Sequence, residues 1–117
     1  MTVYLHGALG AGKTTFVRGV LQGFGYTGKV KSPTYTIVEP YVVSRYNIYH
    51  FDLYRFIDEC EWDAAGFGEY FNDSSICIVE WPEKAGNILP SPDFDLKLSL
   101  LNNSEQDSGR KLEVFAQ

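Results

Sequence analysis

Gly7-Ala8-Leu9-Gly10-Ala11-Gly12-Lys13-Thr14 fits the pattern G-x-x-x-x-G-K-[ST], a spacing whose chemistry is the gripping of a polyphosphate. Glycines let the backbone curl so that several N–H groups point inward at phosphate oxygens, which side chains would obstruct. Gly7, Leu9, Gly10, Ala11, Gly12, Lys13, Thr14 and Thr15 are therefore the candidate nucleotide contacts. Lys13 is expected to reach the β- and γ-phosphates, and the Thr14 hydroxyl to ligate Mg²⁺. A helix beginning at this point adds the positive end of its dipole and its unpaired N–H donors. The four fixed identities would coincide by accident in roughly one chain in a few hundred.

A loop of this kind holds phosphates; hydrolysis also needs carboxylates that steer Mg²⁺ and orient a water. Glu80 follows Ile76-Cys77-Ile78-Val79, the form of an apolar strand that ends in an acid. Asp52 follows Ile48-Tyr49-His50-Phe51, a less pure run of the same kind. An acid at the carboxyl end of a sheet strand faces the crevice where ligands sit in open α/β folds, so Asp52 and Glu80 are the candidate metal and water residues. Lys13, Asp52 and Glu80 form the candidate catalytic set. His50 reads first as a hydrogen-bonded core residue and only second as a catalytic base.

These residues need elements to carry them. Thr2-Val3-Tyr4-Leu5 is an apolar run that reads as the strand entering the loop. Phe16, Val17, Val20, Leu21 and Phe24 share one face of a following helix, which Gly23 and Gly25 should end. Residues 34–43 and 45–51 are β-branched and aromatic and predict a β-hairpin with a short link at Val43-Ser44. The acidic stretch from Asp58 to Tyr70 predicts a short surface helix with Trp62, Ala65 and Phe67 inward and a break at Gly66. Ser75 to Val79 suits a strand buried on both faces of a parallel sheet, stopped soon after by Pro82. Phe94 to Leu100 and Leu112 to Ala116 alternate apolar with polar, predicting a second hairpin across a polar loop.

With 117 residues there is room for one domain with a modest core, and eight Phe and eight Tyr must fill much of it. A net charge of −5 argues against a chain that holds nucleic acid by its own phosphate contacts, which require clustered Lys and Arg. Any RNA contact should run through a partner. Cys60 and Cys77 lack metal-ligand spacing and read as reduced thiols, Cys77 as a buried one. No stretch of 18 apolar residues and no signal-peptide pattern is present, so the expected location is the cytosol, away from membranes.

Ser32-Pro33-Thr34-Tyr35-Thr36-Ile37-Val38-Glu39-Pro40-Tyr41, then Tyr49-His50-Phe51-Asp52-Leu53-Tyr54-Arg55, then Val79-Glu80-Trp81-Pro82-Glu83, behind the phosphate loop, closely resemble the bacterial TsaE (YjeE) ATPases. The resemblance covers nearly the whole chain and fades after about Pro92. It implies an α/β P-loop NTPase fold with a central, largely parallel sheet flanked by helices. It further implies ATP and ADP as ligands with Mg²⁺, and TsaB and TsaD as partners in making threonylcarbamoyladenosine in tRNAs that read codons beginning with A. In that scheme TsaD performs the transfer, and slow, partner-stimulated ATP hydrolysis resets the complex. By the same resemblance Asp52 and Glu80 match acids at the metal and water site, Trp81 matches a tryptophan near the nucleotide, and Ser32 to Tyr35 matches a switch-like loop.

Other readings of these last residues stand beside the resemblance. Ser32 and Pro33 also suit ordinary turn chemistry, Trp81 could simply pack, and Arg55 could meet a phosphate, a partner carboxylate or a surface acid. Lys29 and Lys31 read as solvated charges. Members of the family usually carry a strand and a helix ahead of the phosphate-loop strand, whereas this sequence begins one residue before it. Its absence is expected to open a sheet edge and part of the core, and so to favour self-association. A small P-loop kinase would need an arginine lid, which Arg18, Arg45, Arg55 and Arg110 can scarcely build. A GTPase would show an Asn-Lys-x-Asp element, which the sequence lacks. A nucleotide-binding scaffold without turnover is the remaining alternative.

Overall fold

The computed structural model describes residues 1–8, 12–43, 45–56, 58–100 and 109–117. Six strands form one sheet in the order β2-β3-β4-β1-β5-β6. They are β1 (Thr2–His6), β2 (Val38–Val43), β3 (Tyr46–Asp52), β4 (Ser75–Glu80), β5 (Phe94–Leu100) and β6 (Arg110–Ala116). The inner four, β3-β4-β1-β5, run parallel, and β2 and β6 add antiparallel to the two sides. Helices α1 (Lys13–Gly23) and α2 (Glu59–Ala65) cover opposite faces. The expected largely parallel sheet with helices and two hairpins is what the chain forms.

Strand parity sorts the side chains. On the α1 face, Leu5, Tyr41, Val43, Ile48 and Ile78 pack with Val17 and Leu21 of the helix. On the other face, Phe51, Cys77 and Val79 pack with Leu53, Phe56, Trp62, Phe67, Ala85 and Leu89. Phe51 lies within 6.0 Å, ring centre to ring centre, of Trp62, Phe67, Tyr70 and Phe71, so the aromatic content of the sequence is spent mainly here. Burial pushes the Cys77 thiol up to about 12, as suits an inert core thiol. Cys60 is exposed, and both cysteines are unpaired.

Local chemistry explains the ends of the helices. Gly12 precedes α1 with φ 96°, and Gly25 follows it with φ 98°. The Asp58 carboxylate caps α2 by accepting from Glu61 N–H at 3.0 Å, and Gly66 closes it in the left-handed region at φ 70°. Ala65 is exposed, so Trp62 alone is the buried anchor of that helix. One expectation is corrected. Residues 34–37 form turns ahead of β2 instead of its first part, because Ile37 N–H bonds back to the Pro33 carbonyl at 2.8 Å and Ile37 stands at φ 71°. The hairpin itself forms, with Val43 paired to Tyr46 across positions 44 and 45; Ser44 lies outside the described residues.

The strand β1 sits between β4 and β5, so the outer strands of the sheet are β2 and β6. Leu112, Val114 and Phe115 of β6 are exposed. An apolar groove beside α1 is lined by Val3, Phe16, Val20, Phe24, Ile78 and Leu96. No helix among the described residues is long and apolar enough to cross a membrane.

Candidate active site

Parallel pairing of β3 and β4 sets Asp52 directly opposite Glu80, while β1 sets Leu5 against the same Glu80. All three side chains therefore lie on the α1 face at the carboxyl ends of the strands. Helix α1 begins at Lys13, so its first turn meets the two acids. The result is a cleft of about 420 Å³. Gly12, Lys13, Thr14 and Thr15 line one side, and Asp52, Glu80 and Trp81 line the floor and the other side. Ser32 and Thr34 close one rim, and Arg110 of β6 reaches in from the opposite rim.

Lys13 is buried and donates to the Gly7 carbonyl at 2.6 Å, and its Nζ stands 3.9 Å from Glu80 Oε1. Burial lowers the Lys13 ammonium below its ordinary value, while Glu80, Asp52 and Glu83 pull the other way. Asp52 accepts from Tyr54 N–H at 3.0 Å and is held above its ordinary value, first by burial. The Tyr54 N–H opposes that shift, Glu80 adds to it, and His50 and Lys13 oppose it. Glu80, 4% exposed, shares its second oxygen with His50, whose Nε2 lies 2.5 Å from Oε2. Two acids and one buried cation thus face each other across a polar cleft, an arrangement that presents hard oxygen donors and a positive charge to a polyphosphate.

The Thr14 hydroxyl and the two carboxylates are the donors that could take up Mg²⁺ from this cleft. Among the described residues no group of three or more His, Cys, Asp or Glu gathers into a metal cage. Mg²⁺ is ordinarily held by one or two carboxylates together with substrate phosphates, which suits this donor set.

The structure brings Gly12, Lys13, Thr14, Thr15, Asp52, Glu80 and Trp81 together on the cleft. Gly7 joins them through its carbonyl. Leu9, Gly10 and Ala11 lie outside the described residues. Arg55 is engaged at the surface, its guanidinium 4.7 Å from the ring centre of the exposed Tyr35. Lys29 and Lys31 are exposed, as solvated charges should be. Two residues gain importance. His50 is fully buried against Glu80, where the sequence offered only a histidine two positions before an acid. Arg110 reaches the cleft although its place in the sequence, far from any motif, gives no such signal.

A strand, a phosphate-loop sequence and a helix at the heart of a parallel sheet, with acids ending the next two strands, define a P-loop NTPase fold. Residues 1–112 match the family described as "Threonylcarbamoyl adenosine biosynthesis protein TsaE". Proteins named tRNA threonylcarbamoyladenosine biosynthesis protein TsaE are similar over most of the chain. That of Haemophilus influenzae is 52% identical over 98% of this chain and 70% of its own length. The Bacillus subtilis protein is 39% identical over 88% and 64%, and that of Rickettsia typhi 36% identical over 97% and 78%. The crystal structure of Bacillus subtilis YdiB superposes with a TM-score of 0.71 at 31% identity, over 98% of this chain and 67% of that one. The chain belongs to the TsaE family and spans between 64% and 78% of the length of these three relatives.

Proposed function

We propose that this chain is a Mg²⁺-dependent ATPase subunit that binds ATP and ADP and supports tRNA threonylcarbamoyladenosine modification together with TsaB and TsaD proteins. The observation that carries the reading is the convergence of Lys13, Thr14, Asp52 and Glu80 on one cleft. Lys13 would leave the Gly7 carbonyl for the phosphates, whose charge replaces the acids as its partner. Thr14, Asp52 and Glu80 would hold Mg²⁺, which when bound neutralises charge on the phosphate oxygens. Glu80, which lines the cleft, would orient a water. Binding to tRNA would be indirect, in keeping with the negative charge of the chain.

The two core clusters share one sheet, which supports treating residues 1–117 as a single domain, and a cytosolic location is part of the same proposal. The exposed β6 edge is the surface through which copies of the chain would associate. Titration with ATP, GTP and ADP, with and without Mg²⁺, followed by phosphate release with and without TsaB and TsaD, tests the proposal. Slow release alone, faster release with partners, and loss in Lys13→Ala and Glu80→Ala are expected. The loss of charged hydrogen bonds in Lys13→Ala should weaken ATP binding by about 10- to 100-fold. Unchanged release in both variants would overturn the assignment; ADP formation only with a phosphate acceptor would point to a kinase, and tight binding without release to a scaffold.

A further inference from the structure

Glu80 has two carboxylate oxygens, and different elements hold them. Oε1 faces Lys13 at 3.9 Å on the cleft side, whereas Oε2 meets the buried His50 Nε2 at 2.5 Å on the same face of the sheet. His50 sits on β3 opposite Ile78, two pairs before Asp52 and Glu80 and on the same face of the sheet, so its ring reaches Glu80 diagonally across the strands. It is fully buried and is not among the residues that line the cleft. We infer that His50 is the positioning residue for Glu80: it pins one oxygen and thereby turns the other toward the nucleotide. The inference rests on the reading of Glu80 as the acid that acts on the bound nucleotide.

The tautomer follows from hydrogen bonding. His50 Nδ1 is buried and has no partner among the described residues. A proton there would be a buried donor without an acceptor, whereas a bare ring nitrogen loses less by going unpaired. The proton of the contact therefore belongs on Nε2, from which the ring donates to the carboxylate. Like charges directly opposite one another on paired strands repel, so Asp52 alone would push Glu80 away from any fixed pose. Lys13 opposes that push only while it lacks a phosphate to bind. Once Lys13 turns to the nucleotide, His50 remains as the side-chain contact that holds the second oxygen of the glutamate. Groups that orient an acting side chain through hydrogen bonds typically change activity by about 10- to 100-fold when removed.

The test has two arms. In nucleotide-free protein, ¹⁵N imidazole NMR should show His50 protonated at Nε2 and bare at Nδ1, with the Nε2 signal moving in Glu80→Gln. In turnover assays, His50→Leu should lower kcat by about 10- to 100-fold with KM within about twofold, and His50→Gln, whose amide reaches the place of Nε2, should restore most of the rate. A ring bare at Nε2, or a folded His50→Leu protein with wild-type kcat, would overturn the inference. If His50→Leu does not fold, the NMR result and His50→Gln decide the matter. Loss of turnover in Glu80→Ala with none in His50→Leu defeats this inference alone. Absence of turnover in the wild type defeats the functional reading, while the tautomer still reports on the contact.

Discussion

The ammonium of Lys13 lies 4.0 Å from the ring centre of Trp81, and Trp81 itself is held in the left-handed region at φ 56°. The contact places an indole as a partner for the phosphate-loop lysine when no nucleotide is present. Its backbone is uncommon for a residue with a large side chain, and Tyr54 supports the ring edge-on at 5.0 Å. Both facts tie the lysine and the end of β4 into one unit.

Tryptophan emission should therefore report ligand binding. The chain has two tryptophans: Trp62 is buried within the aromatic cluster, and Trp81 packs against that cluster while lining the cleft. Addition of MgATP should change the fluorescence of the wild type and of Trp62→Phe, and leave that of Trp81→Phe flat. A full response in Trp81→Phe would show that the signal does not arise at Trp81.

Asp52 predicts a pH dependence of stability. Its carboxyl is held above the ordinary carboxylate value of about 4, chiefly by burial, so between the ordinary and the raised value the folded state keeps a proton that the unfolded chain has released. The stabilisation is complete below the ordinary value and is lost as pH rises through the raised one. Asp52→Asn, which cannot ionise, should melt at a higher temperature than the wild type at neutral pH and at nearly the same temperature near about pH 3. Thermal melts between these limits, with chelator and without nucleotide, check this; a gap independent of pH would count against it.

At Gly12 the backbone limits substitution. A β-carbon there would meet only Arg110 Nε at 3.7 Å and Leu98 Cδ2 at 3.9 Å, which is ordinary contact, but φ 96° is strained for any other residue. Gly12→Ala should cost about 1–3 kcal/mol, read as a lower melting temperature or as weaker ATP binding. An unchanged melt and affinity would show that the loop relaxes freely.

The edge strand β6 predicts self-association. Leu112, Val114 and Phe115 are 43%, 56% and 51% exposed on a strand that is outermost in the sheet of the described residues. Sedimentation should be concentration-dependent for the wild type, and Val114→Lys should reduce that dependence, since lysine on an edge discourages strand pairing. A monomer with a cooperative, high-temperature melt would rule the contact out.

Much of this architecture is legible in the residues. The phosphate loop announces β1 and α1, and Gly66 marks the end of α2. The alternation after Phe94 marks the last hairpin. What the sequence does not reveal is register. That His50 falls beside Glu80, 30 positions later, depends on β3 pairing with β4 as Asp52 to Glu80, and no local pattern encodes that pairing. Arg110 arrives at the cleft because β6 folds back along β5, with Leu100 opposite Arg110. Residues 34–37 look like strand by composition, yet the back-bond from Ile37 to Pro33 and the Asp52 N–H bond to the Ile37 carbonyl hold them in a turn. Tertiary partners there outweigh β-propensity.

Because side chains alternate between the two faces of the sheet, inserting or deleting one residue within β3 or β4 would send His50, Asp52 or Glu80 to the aromatic side. Substitutions remove one group at a time, but such a frame slip would dismantle the whole acidic constellation at once. Tolerated changes of length should therefore concentrate in the connections between strands, leaving the six-to-seven-residue spans of β4 and β3 fixed in size.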